Sequence, residues 1–577
     1  MSGLNERPIA MRKVTIAVVL ATLLLLVLAS PALAAAGDLD PTFGSSGTVT
    51  TSVGPGDDVL VAVAIQPSDQ KILAVGYTAS GSGDNWLVIR YNPNGTLDAT
   101  FGSGGIVTTS FGSGTDHAHA VAIDANGNIV VAGYSDNGTS HDFAVARYTT
   151  AGALDATYGN AGVTTTSLGA GDDEINAMAI DSNGNAVVAG QTLGGLNNQF
   201  ALARYTTTGV LDSSFGSAGM VNTDIGSGSD AANAVVIQGD GNIVAAGRAN
   251  NGVDRDFALV RYNASGSIDT SYGVSGKRTT ALGPGDDVIQ AITLDGNGDV
   301  VAAGVSDSGV DLDFALARYT TSGSLDATFG GGGTTTTNIG HNDTAYGVAV
   351  QGDGKIVVSG TAGSSDFGVA RYTSGGVLDG GFGTAGIVYT QVSPFGSNGF
   401  ATTLQADGSI VVVGDAYGTR YDAAIARYLV APPVPYYQPD GAIRAGKGAY
   451  IGENAYNTTA LGQSVTAKAL RGSKKTFSIR VKNDGSLSDT FTLKGKGGQP
   501  GFAVKYLQGA TDVTSTVVAG TFTTPAIASG SALTLKLVIA VKKTASVGVT
   551  KSWSVSLTSA TTPTKQDAVM AKVRVKA

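Results

Sequence analysis

Asp142-Phe143-Ala144-Val145-Ala146-Arg147-Tyr148, followed by Leu154-Asp155 and Tyr158-Gly159, decides the fold because it recurs. Arg-Tyr stands at Arg90, Arg147, Arg204, Arg261, Arg318, Arg371 and Arg427, at intervals of 57, 57, 57, 57, 53 and 56 residues. A second marker, Leu-Asp or Ile-Asp before an aromatic-Gly pair, recurs at Asp40, Asp98, Asp155, Asp212, Asp269, Asp326 and Asp379. Self-similarity at a fixed period is the signature of a repeat architecture, in which each unit buries its apolar face only against its neighbours.

Working outward, each unit reads as four strands. Ala120 to Ile123 leads through Asp124-Ala125-Asn126-Gly127-Asn128 into Ile129 to Tyr134. Two β-branched runs around Asn-Gly form a hairpin signal, since Asn and Gly accept positive φ. The Arg-Tyr segment is the third strand, and a Thr-rich run such as Ile106 to Ser110 is the fourth. Seven such units predict an all-β chain whose main body is a seven-bladed β-propeller. The last Arg-Tyr strand has no Thr-rich run after it, whereas Thr48 to Val53 stands unpaired at the other end. The two are expected to share one blade, closing the ring and removing an exposed strand edge. The small residues of Val61-Ala62-Val63-Ala64-Ile65 place that strand nearest the axis.

The unit Leu-Asp-x-x-Phe-Gly-x-x-Gly, then Ala-Val-Ala-Ile-x-x-x-Gly, Ile-Val-Val-Ala-Gly and Phe-Ala-Leu-Ala-Arg-Tyr resembles the delta-60 repeat of bacterial secreted proteins over roughly residues 38 to 428. The resemblance implies a structural label and no defined reaction. The seventh unit departs most, with Ser393-Pro394-Phe395-Gly396-Ser397-Asn398 where other copies end a Gly-rich turn in Asp.

Outside the repeats, Arg12-Lys13, an apolar run from Val14 to Leu28 and Ala32-Leu33-Ala34-Ala35-Ala36 read as a secretory signal peptide over 1–36, cut after Ala34 or Ala36. The run is shorter than the roughly 20 residues of a spanning helix, so no membrane span is expected after cleavage. Met11 offers a better-proportioned start. The seven-repeat propeller is assigned to 37–430, a Pro-rich linker to 431–439 and a second domain to 440–577. Alternating segments such as Thr476-Phe477-Ser478-Ile479-Arg480-Val481-Lys482 predict strands there, and their number suggests an immunoglobulin-like β-sandwich. Cysteine is absent, so no disulfide braces the fold. Net charge is divided: Asp38–Tyr428 holds 38 acidic and 14 basic residues, Tyr436–Ala577 holds 6 and 19.

The repeated Arg and Asp read as inter-blade structure, because a catalytic site is one asymmetric place and these occur in every unit. A second acidic set, Asp58, Asp116, Asp173, Asp230, Asp287 and Asp343, is the speculative ligand or cation site: a carboxylate ring at a channel mouth, or Asx-type turns at strand entry. No cofactor is required, with calcium the one candidate. His117 and His119 share a strand without a third zinc ligand. The sequence carries no Gly-x-Ser-x-Gly, no phosphate-binding Gly-Lys-Ser/Thr and no Cys-His pair. The expectation is a monomeric, secreted, non-enzymatic binding or structural scaffold of the envelope or extracellular space. Its ligand would be a polysaccharide, an envelope polymer or a protein, and not nucleic acid. The competing readings are a carbohydrate-active enzyme at the channel mouth, which should gather acids, His or Tyr in one sector, and a calcium-stabilised adhesin.

Overall fold

A computed structural model describes residues 35–577 except 82, 113, 364–365, 431–437, 453–455, 485–487 and 529–530. The signal segment up to residue 34 and most of the Pro-rich linker therefore lie outside the described residues. The chain forms two compact units, dividing at residues 431–432.

In the first unit, strands β1 (Thr48–Thr51), β2 (Asp58–Ile65), β3 (Ile72–Ala79), β4 (Asp84–Tyr91) and β5 (Ile106–Thr109) set the pattern. β2-β3-β4-β5 form one antiparallel four-stranded sheet, and five further sheets repeat it strand for strand. The seventh is composite: β1 pairs with Tyr421–Tyr428, Thr48 opposite Ala426 and Thr51 opposite Ala423. Chain ends some 370 residues apart thus share a blade, and the ring closes as the unpaired Thr-rich run suggested. The first strands of successive blades pack on one another around the ring, which puts them at the axis.

The second and third strands read as continuous apolar runs because both faces of each blade are covered. Leu73, Val75, Trp86 and Val88 of blade one meet Ala118, Ile129, Val131, Ala144 and Ala146 of blade two in one core. Burying a Val, Leu or Ile side chain contributes about 1.5–3 kcal/mol, and alanine opposite those residues lets two sheets approach closely.

Each first strand carries a β-bulge, as between Leu60 and Ala62 or between Ala118 and Ala120. The facing residue of the second strand is glycine in every blade. At Gly133 a Cβ would lie 2.0 Å from the His117 carbonyl oxygen, and at Gly76 1.9 Å from that of Val59. The repeated Gly is therefore a steric requirement of the bulge.

In the second unit, two five-stranded sheets share a core containing Phe477, Ile479, Leu537, Trp553 and Val555. The anticipated strands are present, but the sequence reading missed Pro439–Ala445 and Ser464–Ala469. Ser464–Ala469 pairs in parallel with Gln566–Val575.

Candidate functional site: the asymmetric face of the propeller

The repeat arginines and the variable residues occupy opposite ends of the third strand. Arg90 lies six residues beyond Asp84 on β4, about 20 Å at roughly 3.3 Å per residue.

At the Arg end the seven-fold pattern serves structure. Arg90 donates from Nε to Asp98 Oδ2 at 2.7 Å and from Nη1 to the Thr150 carbonyl of the next blade at 2.6 Å, while stacking on Phe101. Arg147, Arg204, Arg261 and Arg318 repeat this with Asp155, Asp212, Asp269 and Asp326, reaching the carbonyls of Thr207, Ala264, Thr321 and Ser374. Arg371 bonds Asp379, and Arg427 bonds Asp40 and the Pro93 carbonyl across the ring closure. The following Tyr reaches backward: Tyr148 bonds Thr109 of the preceding blade at 2.7 Å, and Tyr91 bonds Thr51 at 2.8 Å. Among the described residues, six of the seven Arg-Tyr dipeptides, Arg371-Tyr372 excepted, therefore tie their blade to both neighbours. The side-chain hydroxyl and backbone N–H of Thr100, Lys71 and Arg90 hold the Asp98 carboxyl far below the usual range, against burial.

The second acidic set lies at the other end, and all six members are fully buried. Asp116 accepts the N–H groups of Phe111 and Asp136 at 2.9 and 3.1 Å. Asp58 accepts the Val53 N–H at 2.7 Å and the Thr78 hydroxyl at 2.5 Å. Asp173, Asp230, Asp287 and Asp343 accept the same entry N–H, from Leu168, Ile225, Leu282 and Ile339. In blade seven the buried Ser397 hydroxyl accepts the corresponding Val392 N–H at 3.4 Å. These groups pin the chain where it enters each blade. The Asp-x-Asn-Gly-Asn loops are closed in a similar way, with Asp124 Oδ1 accepting from Asn126 and Asn128.

What breaks the repeat on this face is one register position. Following the bulge glycine, the second strands present Tyr77, Tyr134, Gln191, Arg248, Val305, Thr361 and Asp415. Paired across are Val59, His117, Glu174, Ala231, Val288, Thr344 and Asn398. The ionisable and phenolic groups gather on blades one to four and, beyond the closure, on blade seven; blades five and six offer Val and Thr.

The cluster is continuous. Tyr77 and His117 stack with ring centroids 3.8 Å apart and planes at 7°, and Tyr134 and His141 stack at 4.2 Å and 13°. Each imidazole is held by a carboxylate. His117 Nε2 lies 2.8 Å from Asp84 Oδ2, and His141 Nδ1 lies 2.9 Å from Glu174 Oε1. An ionised carboxylate only accepts, so His117 carries its proton on Nε2 and keeps the Nδ1 lone pair when neutral. Gln191 donates to the other Glu174 oxygen at 2.8 Å, and Asp172 accepts the His141 backbone N–H at 3.0 Å. Burial pulls the His117 pKa below its ordinary value of 6.5, opposed by Asp84. Burial pushes the Tyr77 phenol up to about 12, aided by repulsion of its anion by Asp415 and Asp84. Burial raises Asp415 to about 6, despite a hydrogen bond from Asn398 at 2.9 Å. Among the described residues neither the Tyr77 nor the Tyr134 hydroxyl has a hydrogen-bond partner.

The bulge residues form a second asymmetric set, lining a cavity of about 280 Å3 at the axis. His119 reaches the Ile175 carbonyl at 2.9 Å, Asn176 that of Ala232 at 3.0 Å and Asn233 that of Ile289 at 2.8 Å, each in the next blade. The opposite arc is Tyr346, Phe400 and Val61.

Sequence reasoning named His117 and His119 but missed Tyr77, Tyr134, Glu174, Arg248 and Asp415. The signal was present as departures at one column of the repeat. It went unread because a periodic pattern registers what recurs, and this column does not. Blade seven supplies Asp415 together with Tyr417 and Tyr421, whose rings lie 5.0 Å apart.

Comparison with known proteins places the repeats. Seven segments, 68–101, 125–158, 182–215, 238–272, 296–329, 351–382 and 405–429, match the family described as "Domain of unknown function (DUF5122) beta-propeller". No curated protein matches the chain. Among solved structures, the one titled "Crystal structure of polysaccharide lyase Uly1" matches with a TM-score of 0.38 and 11% identity, covering 66% of this chain and 91% of that one. The match to an enzyme corrects the expectation of a non-enzymatic chain. At that similarity it transfers no residue role, so the chemistry has to come from the side chains of this chain alone.

Proposed function

We propose that this chain, seven repeats of a β-propeller family with a second β-rich unit, is a carbohydrate-active enzyme working by general acid–base catalysis at the channel mouth. The observation carrying this is the pair of Tyr–His stacks, each ended by a carboxylate, on the one face where the repeat is broken. A neutral imidazole oriented by Asp84 is a base, and a phenol kept protonated to about pH 12 is a proton donor. His117 is assigned as base and Tyr77 as acid, with Asp84 fixing the tautomer. Asp415, poised near 6, sets the charge beside Tyr77.

A polymeric, hydroxyl-rich substrate suits this face better than a small apolar one. The site is a shallow arc across several blades, flanked on blade seven by Phe395, 71% exposed, and Tyr417, 40% exposed; such rings offer flat surfaces to sugar rings. The test is release of new reducing ends from a polysaccharide panel. Wild type should cleave at least one member, while His117→Ala and Tyr77→Phe should each lose about 10²–10⁴-fold of kcat. Equal activity in His117→Ala would discard the assignment.

Export follows from the N-terminal pattern, as a proposal. Ala36 is buried in the core of blades six and seven, and its carbonyl accepts the Gly383 N–H. Cleavage after Ala34 leaves that contact intact, whereas cleavage after Ala36 removes it. Mass measurement of the exported protein's N-terminus decides between them. The basic second unit is proposed to hold the protein near anionic envelope polymer, an attraction that should weaken with salt.

A further inference from the structure

We propose that the axial cavity is a subsite for one uncharged sugar ring, so that the substrate of this face is a neutral polysaccharide. The substrate class rests on the acid–base reading above, and the binding site stands without it.

The cavity is built by the bulges. The extra residue of a bulge has no partner on the neighbouring strand, so its side chain is released from the ladder. Each blade supplies one such residue, and these seven line the cavity. A ring that only filled the axis could carry the same residue seven times, as the Arg face does. Here the residues differ, and they sort by kind. Blades two to five carry His119, Asn176, Asn233 and Gln290, whereas blades six, seven and one carry Tyr346, Phe400 and Val61. All are half-buried.

Hydrogen bonds fix how the polar arc is turned. A backbone carbonyl only accepts, so the His119 Nδ1–H and the amide NH2 groups of Asn176 and Asn233 are directed at the carbonyls of Ile175, Ala232 and Ile289. Left over are acceptors: the amide oxygens of Asn176 and Asn233, and Nε2 of a neutral His119. Burial and the neighbouring His117 pull the His119 pKa below 6.5, against the Ile175 carbonyl and the Asn176 side chain, which keeps that ring neutral. Gln290 differs. Its Oε1 accepts from Asn233 at 3.4 Å, and among the described residues its NH2 group makes no hydrogen bond. One arc therefore offers several acceptors and a free donor, which suits hydroxyls, since they both donate and accept. The opposite arc offers the rings of Tyr346 and Phe400, edge to face with centroids 5.4 Å apart. They give the C–H face of a sugar an apolar surface.

Charge and size narrow the ligand further. No Asp, Glu, Lys or Arg lines the cavity, so an ionised ligand would leave water without gaining a counter-ion. The volume of about 280 Å3 falls just below the roughly 300–1,000 Å3 of pockets for drug-sized ligands, which is room for one ring and not for several. The cavity also adjoins the acid–base pair. The His119 ring lies 6.1 Å from that of His117 and 5.4 Å, edge-on, from that of Tyr134. A sugar held against His119 thus presents its linkage to the next residue beside the His117–Tyr77 stack.

The test titrates the full chain by calorimetry with glucose, galactose, mannose and xylose, and with glucuronate and galacturonate as charged counterparts. At least one neutral sugar should bind saturably, and the acids about tenfold or more weaker. Gln290→Leu and Phe400→Ala should weaken that binding about tenfold or more. On a cleaved polysaccharide they should raise KM with kcat within a few-fold. Loss of binding in either variant at an unchanged melting temperature sustains the site. No saturable binding of a neutral sugar, equal binding of the acids, or unchanged binding and KM in both variants would overturn it. So would a melting temperature lowered in both, which would mark the ring as structural. If no polysaccharide is cleaved, the acid–base reading fails, and the titration still judges the cavity on its own.

Discussion

The two faces of the propeller are built from the same seven repeats and differ in what was kept constant. On the Arg face every unit sets its guanidinium on its own carboxylate and over an aromatic ring, and among the described residues all but Arg371 also reach the next blade's carbonyl. On the other face the backbone is just as regular, with the same bulge, the same glycine and the same entry hydrogen bond. Yet one column of side chains runs Tyr, Tyr, Gln, Arg, Val, Thr, Asp. A ring can be closed by seven equal joints, whereas a reaction needs different groups at different places. Constancy marks the joints, and variation on a constant scaffold marks the chemistry.

The comparison breaks most completely if the ring cannot close. Removing residues 35–51 takes away β1, Asp40 and the Ala36 link, exposing the edge of Tyr421–Tyr428. The expected outcome is loss of the cooperative melt and association through that edge, seen by circular dichroism and light scattering. Next in size, His117→Ala should silence cleavage by about 10²–10⁴-fold without moving the melting temperature, since only the variable face is touched. Arg90→Met should do the reverse. Its side chain and that of Asp98 are each 5% exposed, and leaving one buried partner costs about 3–5 kcal/mol. Denaturant titration should show that loss with kcat within a few-fold of wild type.

A pH titration separates the faces without mutation. The folded pKa of His117 is lowered below 6.5, so as pH falls through it the base protonates and activity goes. The same shift makes the unfolded chain take the proton first, a small loss of stability below pH 6.5. Asp98 is also lowered, from 3.8, so its contribution is full above 3.8 and is lost only as pH falls through the folded value. Asp415, raised to about 6, binds its proton more readily when folded and adds stability as pH falls below 6. Activity should therefore fall as pH drops below 6.5 while the melting temperature holds down to 3.8; parallel loss of both would contradict the division. Smallest, Tyr148→Phe removes one hydroxyl contact to Thr109 and should cost about 1 kcal/mol.

Much of this was legible. The period, the strand count and the composite last blade could be read because each is local or repeats at a fixed interval. The carboxylate set at Asp58 could be located but not assigned, because a cation ring and an entry turn share the same spacing; burial and the N–H groups of Val53 and Phe111 distinguish them. In the second unit, alternation found the central strands. It missed Pro439–Ala445 and Ser464–Ala469, which lie at sheet edges where pairing on one side leaves a weaker pattern.

By itself the sequence determined a seven-fold β ring closed by its own N-terminal strand, because hydrophobic period and turn chemistry act over a few residues and were written seven times. Only the tertiary structure decided that Tyr77, Asp84, His117, Tyr134, His141, Glu174, Arg248 and Asp415 share one face. They come from five blades across more than three hundred residues, and their proximity is a consequence of ring closure and of the bulge that sets the register, neither of which any single repeat contains.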